Sequence, residues 1–146
     1  MSVDWRDHGA GGFISLETLL YKGVRTLDPG LQTVPAFVAD GAKTSLVSPE
    51  ALADELSNRT AGALALLAQL QAAAPAGGYP AALGAELNDV ETWAALGSYF
   101  GLKLKAAVLV QRYRASDGAN ATLQGQAVSL LQAAATAVST QAIILG

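Results

Sequence analysis

The side chains in this sequence that could move a proton, hold a metal or stack on a ligand fall into three small groups. His8 is the only histidine. With Asp4 and Asp7 beside it, it could act as a general base or bind a cation loosely. General acid–base work also needs a second acting group and a pocket, however, and His8 is followed by the helix-breaking run Gly9-Ala10-Gly11-Gly12. A surface histidine is the expected reading. Glu86, Asp89 and Glu91 form the second group, and Glu86 and Asp89, three apart, share a helix face. Glycosidase-type chemistry needs two carboxyls across a cleft, roughly 5–10 Å apart, with one of them desolvated. Acids in the first turn of a helix, favoured by its dipole, are the simpler explanation. The third group is aromatic: Trp93, Tyr99, Phe100 and Tyr113, with Tyr79 shortly before them. Exposed, they could form an interface or stack on sugar rings; buried, they would be core.

No other motif adds chemistry. The chain has no cysteine, hence no disulfide or thiolate ligand, and with one histidine no metal site is expected. The Gly9–Gly12 run has neither the spacing nor the lysine of a phosphate loop. Asn58-Arg59-Thr60 and Asn120-Ala121-Thr122 match the glycosylation pattern, but the first falls inside a predicted helix. The sequence therefore predicts no catalytic residue and no cofactor.

The elements that must position these residues are helices. From Leu83 to Arg114 there is no proline, and Leu83, Leu87, Val90, Ala94, Gly97, Gly101, Leu104 and Val108 recur at spacings of three and four. Trp93, Leu96, Phe100 and Ala107 add a second stripe. The spacing predicts a central helix buried on about three sides. Ser48-Pro49-Glu50 opens an earlier helix, because serine caps, proline suits the first position and an acid follows; it should run to about Ala74, where Pro75, Gly77, Gly78 and Pro80 end it. After the Ser116-Asp117-Gly118 turn a last helix repeats Leu123, Ala127, Leu130, Ala134, Ala137 and Gln141. Short connections predict antiparallel neighbours. Upstream, Ser15 caps a short helix to about Val24, with Leu16, Leu19 and Leu20 inward. Arg25 to Val47, punctuated by Pro29-Gly30, Pro35 and Gly41, reads as a long docking loop pinned by Val34, Phe37 and Val38. Gly97 and Gly101 predict a close helix–helix approach. The expected fold is thus all-α: an antiparallel bundle of three long helices over 48–146, with an N-terminal segment 1–47, a short helix and a loop, packed on it as one domain.

Of the 146 residues 51% are hydrophobic and only 14% charged, against about 25% in an ordinary soluble domain. No charge lies between Thr60 and Ala85, and Asp117 is the last one in the chain. So little charge predicts that part of the surface is covered by a copy of the chain or by another domain. The net charge of −3 and the lack of a Lys/Arg stripe exclude a nucleic-acid partner. Lys103, Lys105, Arg112 and Arg114 read as charges complementing the end of the central helix. The charge-free run from Gly118 to Gly146 is long enough to span a bilayer, but its recurring Gln, Ser and Thr residues favour a packed helix. The beginning of the chain, Met-Ser-Val-Asp-Trp-Arg-Asp-His, is unlike a signal peptide, although a piece of a secreted protein would read the same, so localisation stays open.

Leu87-Asn88-Asp89-Val90-Glu91, Trp93-Ala94-Ala95-Leu96-Gly97-Ser98-Tyr99-Phe100, Lys103-Leu104-Lys105-Ala106-Ala107 and Arg112-Tyr113-Arg114 resemble the helical region near the C-terminus of large bacterial glycoside-hydrolase-like proteins. Ser48-Pro49-Glu50-Ala51-Leu52-Ala53 looks like the start of their first long helix. The resemblance spans about residues 48–138, and it departs from the pattern in the last helix, which lacks the aromatic residues expected there. The catalytic residues of that family belong to a barrel domain, so none carries over. What the resemblance implies is a non-catalytic accessory bundle that packs on the catalytic domain of a longer chain and helps shape a carbohydrate cleft. The alternative expectation is a structural or scaffold subunit that self-assembles through its low-charge helices. Chemistry at His8 is a third.

Overall fold

The computed structural model describes residues 15–20 and 29–144, with side chains described as far as Ser139. These residues form five α-helices: α1 (Leu16–Leu20), α2 (Val34–Asp40), α3 (Pro49–Ala72), α4 (Ala81–Ala115) and α5 (Ala121–Ile144). No named strand occurs among them; one isolated parallel bridge joins Leu31 and Val47. The architecture is all-α. His8, Asp4, Asp7, the Gly9–Gly12 run and the expected continuation of the first helix to Val24 lie outside the described residues.

Local chemistry sets most boundaries. Ser48 accepts a hydrogen bond from the Ala51 amide (3.1 Å) and Pro49 occupies the first helical position, as its missing N–H and fixed φ allow. Between α3 and α4, the Tyr79 hydroxyl donates to the Leu70 carbonyl at 2.6 Å, fastening the connection to the end of α3. The turn after α4 uses left-handed backbone at Asp117 (φ 52°) and Gly118 (φ 74°), which glycine and aspartate tolerate better than most residues. Asn120 then caps α5 through the Leu123 amide.

The segment read as a loop from Arg25 to Val47 contains α2. Thr33 caps it at the Ala36 amide (3.4 Å), and Pro35 sits in its first turn. Pro35 thus starts a helix instead of interrupting a loop, and Gly41 at φ 77° ends it. Gln32, 5% exposed, ties the segment together: its side-chain amide donates to the Gly41 carbonyl (2.8 Å) and accepts from the Lys43 amide (3.2 Å).

Packing is centred on α4, which has α3 along one side and α5 along another, while α3 and α5 hardly touch each other. Two ion pairs, Lys105–Asp54 (2.7 Å) and Arg112–Glu50 (2.9 Å), join late α4 to early α3, so these two helices run antiparallel. Their closest approach is at two glycines. A Cβ built on Gly97 would stand 2.5 Å from Thr60 Oγ1, and one on Gly101 would stand 3.2 Å from the Ala53 carbonyl oxygen. The core above this seam gathers Leu20 of α1 and Val34 and Phe37 of α2 against Ala107 and Val108 of α4, with Leu104 and Val110 beside them. Residues on both sides of Val47 therefore share one cluster.

Burial of α4 is one-sided along its length. Its later half holds Gly101, Lys103, Ala106, Ala107 and Val108 inside, whereas Leu83 and Val90, expected in the core stripe, are 44% and 43% exposed. α1 and α2 reach only the later half. Among the described residues α4 is also the helix with a stretch long and apolar enough to cross a membrane.

The glycine seam predicts opposite outcomes for similar changes. Gly97→Ala should lose about 1–3 kcal/mol to the clash with Thr60, offset in part by a helix-propensity gain of up to about 1 kcal/mol. Gly62→Ala and Gly125→Ala, where a Cβ meets open space, should each gain about 0.5–1 kcal/mol. Urea denaturation reads both, and adding Thr60→Ala to Gly97→Ala should recover part of the loss.

Candidate functional site

The four aromatic candidates do not form one surface. Tyr113 lies over the turn after α4, where a Cβ on Gly118 would stand 3.1 Å from its hydroxyl. The Tyr99 hydroxyl accepts a hydrogen bond from Lys103 Nζ at 2.9 Å, and the same ammonium stands 5.0 Å from the Tyr99 ring centroid. Phe100 packs edge-on to Tyr99, with centroids 5.3 Å apart and planes at 70°. All three are half-buried. Trp93 is 72% exposed, the most exposed of the large hydrophobic side chains described. Within the Arg25–Val47 stretch, α2 packs through Val34 and Phe37 on the cluster of Leu104, Ala107 and Val108.

Trp93 belongs to a patch. On α4, Glu86, Asp89, Val90 and Trp93 fall at i, i+3, i+4 and i+7, one face of the helix. Residues 18 apart return to the same helical phase after about five turns. Glu86, Asp89 and Val90 therefore share their phase with Leu104, Ala107 and Val108, the positions that α1 and α2 cover. One half of this face is roofed and the other is open. Beside the open half runs the end of α3, where Leu66 and Leu70 are 62% and 48% exposed. The antiparallel register set by Thr60 against Gly97 brings them level with the turn around Leu87–Glu91.

The charges here differ from the sequence-based expectation. Because α4 begins at Ala81, no acid stands in its first turn; Glu86, Asp89 and Glu91 come later, where the dipole contributes little. They lie on one helix and not across a cleft. Glu86 and Asp89 are solvent-exposed, and neither takes part in an ion pair. Nor do the four basic residues form a group at the end of α4. Only Arg112 and Arg114 occupy the last turn; Lys105 and Arg112 reach across to α3, and Lys103 is buried at 7% exposure.

Two other places come into question for chemistry. A shallow groove of about 260 Å³ is lined by Glu50, Asp54, Lys105, Leu109 and Leu130, but its charged groups are already committed, Lys105 to Asp54 and Glu50 to Arg112. Among the described residues no group of three or more His, Cys, Asp or Glu side chains could hold a metal ion. The candidate site is therefore a surface, the open half of the α4 face with the end of α3. In the sequence Trp93 stands out as an interface candidate, but Glu86 and Asp89 read as first-turn acids, Val90 falls in the core stripe and Leu66 is not singled out. Gln32 was missed altogether, since one glutamine in an irregular stretch carries no periodic signal.

Exposure separates Trp93 from the core in a stability measurement. Trp93→Ala should change unfolding free energy by no more than about 0.5 kcal/mol, as surface substitutions do. Phe37→Ala should lose about 3–5 kcal/mol by emptying the α1–α2–α4 cluster. Equal losses in thermal or urea unfolding would place Trp93 in the core. No family model, no curated protein and no solved structure matches this chain.

Proposed function

We propose that the chain is a non-catalytic helical accessory and interaction domain of a carbohydrate-active, glycoside-hydrolase-like protein. In this reading α3, α4 and α5 are the three-helix antiparallel bundle, α1 and α2 are docked on it, and the open α4 face meets a neighbouring domain. The observation that carries it is Trp93, 72% exposed, on the half of the α3–α4 pair where Leu83, Val90, Leu66 and Leu70 are also open, at 44%, 43%, 62% and 48%. An isolated surface leucine needs no explanation, whereas apolar side chains gathered around an open tryptophan are characteristic of a contact surface. The resemblance of residues 48–138 supplies the carbohydrate-active context. A single exposed aromatic is also a minimal platform for stacking on a sugar ring.

A second reading, a self-assembling structural subunit, draws support from α5. It carries no charge over 24 residues, and Val128 and Val138 are 48% and 37% exposed. Ser129, Thr136 and Ser139 turn their hydroxyls onto the helix's own carbonyls at 2.9–3.0 Å, which makes its surface less polar than its composition.

Light scattering coupled to size-exclusion chromatography distinguishes the two. The accessory reading expects a monomer at all concentrations tested; a defined oligomer that survives dilution transfers the case to the scaffold reading. Titrating a panel of soluble plant and bacterial oligosaccharides while following tryptophan fluorescence tests the sugar contact, with Trp93→Ala as the variant expected to abolish any response.

A further inference from the structure

We infer that the open half of the α4 face docks an amphipathic helix that carries arginine or lysine beside its apolar stripe, supplied by another domain or protein. The inference rests on the reading of the chain as an interaction domain and specifies the partner's chemistry.

Three observations lead to it. The first is continuity. Leu104, Ala107 and Val108 are covered by α1 and α2, and the positions of equal phase one half-helix earlier, Glu86, Asp89 and Val90, are not. Helical segments already occupy this face of α4 where it is roofed, so a further helix laid along it extends packing that the fold uses. An incoming amphipathic helix would present its own apolar residues at i, i+3, i+4 and i+7 to Val90 and Trp93, the helix-in-groove mode of docking.

Charge is the second. The roofed half presents only apolar side chains at these phases, while the open half replaces two of them with carboxylates that have no ion-pair partner. Between Arg59 and Lys103 the sequence has no basic residue, so neither the early half of α4 nor the adjoining end of α3 supplies a counter-charge. An all-apolar helix would leave Glu86 and Asp89 desolvated and unpaired at the contact, a penalty that disfavours such a partner. A guanidinium or ammonium removes that penalty.

The third is Trp93, one turn from Asp89 and two from Glu86 on the same face. A cation lying over the indole gains from the ring quadrupole and stays within reach of Asp89. A second copy of the chain fits poorly, because a twofold contact through this face sets Glu86 and Asp89 against the same carboxylates.

The test uses the full chain with Trp5→Phe, so that Trp93 is the sole tryptophan, and two synthetic helical peptides of about 18 residues, long enough for about five turns. Both carry the same Leu/Ala stripe; one bears Arg and the other Glu along its edges. The Arg peptide should shift Trp93 fluorescence saturably, and binding should weaken about fivefold or more when NaCl rises from about 50 to about 500 mM, as screened charge pairs do. Glu86→Gln with Asp89→Asn should weaken it about tenfold; Trp93→Phe, which stays apolar but removes the fluorescent probe, is followed instead by isothermal titration calorimetry beside the parent and should weaken binding less. Circular dichroism confirms that each variant folds. The inference is overturned if neither peptide binds, if both bind equally, or if the carboxylate variant binds the Arg peptide as tightly as the parent. A defined oligomer that buries Trp93 would overturn the interaction-domain reading itself, whereas a monomer that ignores the Arg peptide overturns only the partner assigned here.

Discussion

The structure depends on how closely α3 and α4 approach at Gly97 and Gly101. A Cβ at Gly97 would stand 2.5 Å from the Thr60 hydroxyl oxygen and one at Gly101 3.2 Å from the Ala53 carbonyl oxygen, so the helices come closer here than side chains at these two positions would allow. Contact of this kind maximises dispersion between main chains and leaves little tolerance for a different register. The Lys105–Asp54 and Arg112–Glu50 pairs lie to one side of the seam and agree with that register. Partly exposed ion pairs of this type contribute little stability, so the glycine seam and the apolar cluster carry the alignment.

Once α3 and α4 are aligned, the rest follows from which surfaces remain. α5 returns along another side of α4 after a turn that left-handed backbone at Asp117 and Gly118 makes tight. α1 and α2 then roof the later half of the remaining face. Their hold depends on Phe37, Val34 and Leu20 being buried, and on Gln32 closing the segment around Gly41 and Lys43. A buried amide satisfied at both ends adds to the backbone bonds Gln32 N–H to Val47 O (2.9 Å) and Val47 N–H to Gly30 O (2.8 Å) that already close this segment. No described element continues the roof over Trp93. The arrangement is a layer with one face half covered, which is why Trp93 and Val90 stay open on the same helix that buries Val108.

Much of this was legible along the chain. Ser48-Pro49-Glu50 announced the start of α3 through capping chemistry, Pro75 to Pro80 its end, and Gly97 and Gly101 the close approach, because these signals act within a few residues. Others misled for definable reasons. Pro35 reads as a break, although proline both stops helices and starts them, and only the Thr33 cap decides between the two. Glu86, Asp89 and Glu91 read as first-turn acids because Ala81 and Ala82 give no sign that the helix has already begun. Lys103 reads as one of the charges of the helix end; its burial beside Tyr99 depends on what packs over that turn.

The sequence by itself determined that the chain is all-helical, where the long helices start and stop, and which side of α4 is small enough for another backbone. These are consequences of local sterics, capping and periodicity. Only the tertiary structure decided which apolar positions become core. Val90 and Val108 occupy the same phase of the same helix and look alike in any periodic pattern, yet Val108 is 1% exposed and Val90 43%. The difference is made by α1 and α2, more than sixty residues away from Val108 in the chain, and no pattern within α4 encodes where their roof ends.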